Sequence, residues 1–235
     1  MGLPAQESVD AKMVFVEKLM DGVIRVYNGS GSAVNQGDFM IINGLVGVVL
    51  QDAIATGYFD FQYDDQIEVE ANDLATGAAT FGTLYQKVYF NPTTAKFADN
   101  SLYGIEVGFL SQIKDSAGCI KFIKTKKELR SGDILDVEIN ITADATLGIE
   151  YFPGIAYKLL DVVGYSTATK TSETLTISDG TAAISNALDI DTVDIRVVPT
   201  TLDETYTDIA VTEALTFSSL TADGRVRFVI KIKVA

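Results

Sequence analysis

The chain has 235 residues, of which 47% are apolar and 21% charged, with a mean hydropathy of +0.21. That composition excludes a disordered tail and suffices for one large domain or two small ones. Acidic residues outnumber basic ones 32 to 18, for a net charge of −14 with no histidine, so the chain repels a phosphate backbone and lacks both the usual neutral-pH general base and the commonest transition-metal ligand.

No nucleic-acid partner is therefore expected. Cys119 is the single cysteine, which leaves no internal disulfide and no thiolate zinc cage. The opening residues MGLPAQESVDAK have neither a basic nor an apolar signal region, and the apolar runs are too short to span a membrane. Gly2 invites myristoylation, but the pattern needs Ser or Thr at position 6, where Gln6 stands. Residues 1–12 read as a polar N-terminal arm.

From residue 13 to 124 the chain alternates short apolar runs with turn residues. Strands are expected over residues 13–16, 23–27, 39–42, 45–50, 58–61, 67–70, 84–90, 103–110 and 120–123. Asp21-Gly22, Asn28-Gly29 and Asn43-Gly44 mark turns. Asn43-Gly44 is the best two-residue hairpin, because a type I′ turn needs positive φ at both central positions. So many short strands imply a small β-barrel-like domain that hides its edges.

The composition then changes. Residues 1–130 hold 13 of the 19 glycines, whereas residues 131–235 hold 16 of the 23 threonines. The change coincides with Lys121, Lys124, Lys126, Lys127 and Arg130, so residues 125–132 read as a basic, solvated linker, with a short helix expected over Lys124–Arg130.

Residues 133–235 form a second domain, with strands expected over 134–141, 155–163, 174–177, 182–188, 193–198, 215–217 and 225–234 and turns at Asp179-Gly180 and Asp223-Gly224. In the last strand Val226, Phe228, Ile230, Ile232 and Val234 alternate with Arg225, Arg227, Lys231 and Lys233, which predicts one core face and one basic, wet face. The whole is all-β, with the second domain an antiparallel β-sandwich of jelly-roll type.

Carboxylates are the abundant reactive groups. Asp64, Asp65, Glu68 and Glu70 lie in DDQIEVE, where period 2 places Glu68 and Glu70 on one face. A glycosidase would need such a pair at a defined separation with one member buried; in this polar run the acids read as a solvated face. Asp189, Asp191 and Asp194 are the best oxygen cluster for Ca²⁺, but the spacing breaks at the third acid and no glycine follows. Gly29-Ser30-Gly31-Ser32 lacks the Lys-Ser/Thr of a phosphate loop and reads as a hairpin tip. No nucleophile-elbow or Ser-x-x-Lys motif occurs. Catalytic residues, cofactor and metal are accordingly all assigned as none, and no enzymatic activity is expected. The Lys121–Arg130 cluster and the basic face of the last strand would suit an acidic surface, and Tyr151, Phe152, Tyr157 and Tyr165 would suit an interface or sugar site, with core packing the simpler role for most of them.

Between Asn35 and Lys124 the order Gln36-Gly37-Asp38, GLVGVVLQDA (44–53), IEVE (67–70), KVYFNPTTAKF (87–97), YGIEVGFL (103–110) and CIKFI (119–123) resembles a small β-domain family of tailed bacteriophages, the capsid decoration or cement proteins. Some members carry a label as RecA-type recombinases, which this chain, lacking a phosphate loop, does not support physically. The run YFPGIAYKLLDVVGYSTATKTSETLTISDGTAAIS (151–185), with DETYTDIA (203–210), is similar to a β-domain of phage head proteins.

These resemblances imply a homotrimeric decoration protein on the outer surface of the virion. Its partner would be the major capsid protein, bound through residues 13–124, with the second domain projecting or adding contacts between subunits. The alternative is a head-fibre or tail-associated module that holds host glycans through the second domain; a carbohydrate-active enzyme using Asp64–Glu70 is a further rival. On the decoration reading the arm would order on a neighbouring subunit. Deleting residues 1–12 is expected to weaken head binding without moving the thermal melt of the free protein, and undiminished binding would refute the arm's role.

Overall fold

The computed structural model describes residues 13–20, 22–64, 66–75, 80–126, 128–141, 149–167, 174–190, 192, 196–219 and 226–235. The arm (1–12), Asp65, Lys127, Asp191, Asp194 and the Asp223-Gly224 turn with Arg225 lie outside the described residues. The chain divides into two compact units, Met1–Ser131 and Gly132–Ala235.

In the first unit the strands are β1 (Met13–Met20), β2 (Val23–Asn28), β3 (Phe39–Ile42), β4 (Leu45–Val49), β5 (Tyr58–Gln62), β6 (Glu68–Ala71), β7 (Lys87–Asn91), β8 (Lys96–Ala98), β9 (Ile105–Gln112) and β10 (Ile120–Lys124). They make two antiparallel five-stranded sheets, β1-β2-β5-β4-β3 and β6-β10-β9-β7-β8. Only β8 falls outside the expected list, because it is three residues long in a polar stretch.

The β3–β4 hairpin closes through Asn43 (φ 47°) and Gly44 (φ 79°), the doubly positive pair that the sequence requires. Register then sorts its side chains. Ile42, Leu45 and Val49 face a core with Ile24, Val26, Val34, Phe59 and Phe61, enclosed by the curl of the first sheet. Phe39, on the opposite face of β3, packs its ring against Phe90, Phe97 and Phe122 of the second sheet at centroid distances of 4.8, 5.3 and 5.8 Å. The hairpin is thus buried on both faces, which is why FMII and LVGVV are continuous apolar runs rather than alternating ones.

The expected linker belongs to this unit. Glu128 bridges to Leu45, the Leu129 amide donates to Gly44 O at 2.7 Å, and the Leu129 side chain is fully buried. The helix expected over Lys124–Arg130 is replaced by extended chain: Lys124 ends β10, and the Thr125 and Lys126 amides both donate to Val107 O. Leu129 has more to gain from covering the hairpin than a short, isolated helix gains from its own hydrogen bonds.

In the second unit the strands are β11 (Ile134–Ile141), β12 (Ile149–Tyr151), β13 (Tyr157–Ser166), β14 (Thr174–Ser178), β15 (Leu188–Asp189), β16 (Arg196–Val197), β17 (Asp208–Ile209), β18 (Leu215–Ser219) and β19 (Val226–Val234). The sheets run β11-β19-β13-β16, with β17 pairing β13, and β12-β18-β14-β15. Leaving out β17, the first strand pairs the last, the second the seventh, the third the sixth and the fourth the fifth, all antiparallel. That is a long hairpin rolled into two Greek keys, a jelly roll. β12 and β17 are too short for periodicity to reveal, and the strand expected over 182–188 contracts to β15 and isolated bridges at Ala183 and Ser185.

Val226, Phe228, Ile230, Ile232 and Val234 all face the core, as their alternation requires. Ring pairs join the sheets: Phe217 on Phe228 at 5.2 Å and Tyr151 on Tyr157 at 5.6 Å. Gly164 pairs with Phe228, and a Cβ there would lie 2.5 Å from that ring, so glycine makes the space. Burial, reinforced by Tyr151, pushes the Tyr157 phenol well above its ordinary value.

Because Phe39 alone on β3 reaches three phenylalanines of the second sheet, Phe39→Ala is expected to lower the unfolding free energy by about 3–5 kcal/mol. Urea titration checks this, and a loss below about 1 kcal/mol would show that the two sheets hold together without it.

Candidate functional site

Glu68 and Glu70 share the exposed face of β6, as expected, where Glu68 accepts from Ser111 Oγ at 3.1 Å and Glu70 pairs with Lys121 at 3.6 Å. The Asp64 carboxylate lies against Gly22, in the space a Cβ there would fill. Glu68 and Glu70 are thus solvated acids, each with its own partner.

Among the described residues no three metal-ligating side chains come together; Asp189 is exposed at the end of β15. The Gly29–Ser32 segment is held by Asn28 rather than shaped for a phosphate. Asn28 ends β2 fully buried; its amide donates to Ser32 O and Ile54 O, and its oxygen accepts from Ser30 N and Oγ. The left-handed turn expected at Asn28-Gly29 lies instead at Gly31 (φ 89°).

Among the described residues, several cations of both basic stretches are buried or paired. Lys124 is fully buried, with Nζ donating to Tyr63 O at 3.1 Å and Lys126 O at 2.9 Å, while Arg130 pairs with Glu128. On β19, Arg227 pairs with Glu138 at 2.8 Å, and the register sets Lys231 between Asp136 and Asp161. Arg227 and Lys231 are therefore charge-compensated by neighbouring strands, whereas Lys233 lies opposite Ile134 and Lys158, a cross-strand arrangement that one strand cannot reveal. The aromatics are dispersed too: Tyr151 and Tyr157 are core, and Tyr165 is exposed on the outer face of β13.

A cleft of about 450 Å³ in the first unit is lined by Asp38, Phe39, Glu70, Asp73, Phe97 and Cys119. An open groove of about 460 Å³ in the second is lined by Asn186, Asp189, Thr192, Arg196 and Thr200, with the Asn186 oxygen accepting from Thr200 N and Oγ1.

A few large apolar side chains of the first unit face outward. Leu50, Ile54 and Tyr58 are exposed near Tyr27, whose ring lies 5.3 Å from that of Tyr58. Leu84, Tyr85 and Ile113 are exposed in and beside the loop that follows Phe81. Sequence reasoning missed this loop because LY heads an apolar run that reads as strand 84–90, whereas β7 begins at Lys87. No protein-family model matches the chain, and no curated protein or solved structure is significantly similar to it. Among the described residues, no helix is long and apolar enough to cross a membrane.

Asp99 latches that loop. Its Oδ2 accepts from Thr80 N at 2.8 Å, from Thr80 Oγ1 and from Phe81 N at 3.4 Å. Burial pushes the carboxyl up, but these hydrogen bonds outweigh it and hold Asp99 below the ordinary aspartate value. A carboxyl depressed on folding stabilises above its unfolded pKa, about 3.9, and loses that contribution as the pH falls through its folded value. Asp99→Asn is expected to lower the melting temperature at pH 7, with the gap from wild type closing below about pH 4. Melts across that range check it, and a gap independent of pH would remove the latch's charge from the account.

Proposed function

We propose that the chain is a structural virion protein that binds the outer surface of a bacteriophage head and reinforces it, with no catalytic role. The observation that carries this reading is where the family-like residues lie. GLVGVVL forms β4, IEVE forms β6, KVYFN and KFA form the β7–β8 hairpin, IEVGFL forms most of β9 and IKFI most of β10. The resemblance thus maps onto strands of one compact unit, and Phe90, Phe97 and Phe122 within it build the core around Phe39. The jelly roll of the second unit adds support, since that architecture recurs in viral capsid and lectin domains, although fold alone does not assign function.

The physics of cementing needs surfaces rather than chemistry. A protein that binds the assembled shell but not free subunits stabilises the shell by mass action. A net charge of −14 keeps many closely spaced copies soluble and does not attract the packaged genome. On this reading the major capsid protein is the partner and the copies stand as homotrimers at local threefold positions. The polar groove beside Arg196 and Thr200 favours one second reading, a module that holds host glycans through the jelly roll.

Co-sedimentation with heads of the source phage stripped of this protein, titrated to saturation, is expected to plateau at a copy number matching threefold or capsomer sites. Absence of binding would overturn the decoration reading. A saturable heat on glycan titration of the full chain, removed by Arg196→Ala, would favour the second.

A further inference from the structure

The second sheet of the first unit closes on itself. Beyond β6 the chain crosses to β8, where Leu74 bridges to Phe97 in parallel, Phe97 N donates to Asp73 O and Ala75 N to Phe97 O, both at 2.8 Å. The cleft of about 450 Å³ lies along this seam: Glu70 to Asp73 supply one wall, Phe90, Ala95 and Phe97 the other, and the segment entering β3 crosses between them. Its walls are held in place. Asp38 Oδ2 accepts from Asn35 N at 2.7 Å, Gly37 N donates to Val49 O at 2.8 Å, and Cys119 N donates to Asp115 Oδ1 at 2.9 Å.

Floor and rim differ in chemistry. Phe39, Phe90 and Phe97, whose rings pack on one another, make the floor apolar. The charged side chains lining the cleft are Asp38, Glu70 and Asp73, all of one sign. Lys121 approaches Glu70 from β10 at 3.6 Å, whereas Asp38 and Asp73 have no basic partner among the described residues. Lys96 alternates with the lining Phe97 and so projects from the opposite face of β8.

This pattern selects the occupant. Among the described residues no three carboxylates come close enough to hold a metal ion, so what reaches all three acids is extended and cationic. A phosphate or other anion is repelled. An arginine side chain fits, because its stem lies on apolar surface while its planar fork pairs with carboxylates. Walls already held by the fold lose little entropy when it docks.

We propose that this cleft receives a basic segment of the shell protein, with an arginine side chain lying over the three phenylalanines and its guanidinium among Asp38, Glu70 and Asp73. The inference rests on the decoration reading and assigns the shell contact to the seam of the second sheet.

Cys119, the single cysteine, lines the cleft half-buried and reports on it locally. With the full chain, acetyl-triarginine amide is expected to slow alkylation of Cys119 by N-ethylmaleimide at least fivefold, while acetyl-triglutamine amide leaves the rate unchanged. Glu70→Gln/Asp73→Asn, at exposed positions, is expected to keep the melting temperature, lose this protection and bind stripped heads at least tenfold more weakly. Glu150→Gln/Glu204→Gln removes the same charge from the second unit and is expected to behave as wild type does. On heads, wild-type Cys119 is expected to be protected as it is by triarginine.

A wild type that binds heads with Cys119 as reactive as in the free chain overturns the inference and leaves the decoration reading standing. Equal protection by both peptides, or none by triarginine, also overturns it. If wild type does not bind heads, the decoration reading fails and this inference fails with it. Protection by maltotriose in place of triarginine would overturn it in favour of a sugar site.

Discussion

A protein without long helices can cover the apolar face of a sheet only with another sheet or with the same sheet curled on itself, and the first unit uses both solutions at one hairpin. The β3–β4 hairpin has no solvent face. Ile42, Leu45 and Val49 look into the curl of the first sheet, and Phe39 looks out onto Phe90, Phe97 and Phe122 of the second. Asn43-Gly44 sets the hairpin's register, and a one-residue slip would exchange the two cores. Leu129 and Glu128 then close over the hairpin tip, so the chain leaves this unit only after completing it.

The second unit solves the same problem by rolling one long hairpin into facing sheets. Its strands pair first with last and inward to the middle, which places partners far apart in sequence. Such pairing fixes the surface as well as the core. Along β19, Arg227 meets Glu138 and Lys231 lies between Asp136 and Asp161, so part of what is basic along one strand is balanced across three.

Charges find partners, as Glu70 does in Lys121 and Arg25 does in Asp60, and the buried Lys124 is spent on backbone carbonyls. Left-handed backbone at an exposed non-glycine residue recurs at Gln66, Tyr85 and Ala95.

The all-β class, the division into two units, the Asn43-Gly44 hairpin and the inward face of β19 were legible in the sequence, because each depends on local periodicity or on backbone preferences of neighbouring residues. β8, β12 and β17 were not, since two or three residues carry no period. The supposed basic linker and helix were misread because Lys124 and Leu129 are buried by contacts with Tyr63 and Gly44, residues more than fifty positions away. The exposed tip escaped notice for a related reason. Leu84 and Tyr85 look like the start of a strand until Asp99 and Leu110 hold them outside it. Local pattern determined which segments are strands, and only the tertiary pairing decided which charges cancel and which apolar side chains remain in water, because both depend on neighbours brought together from distant parts of the chain.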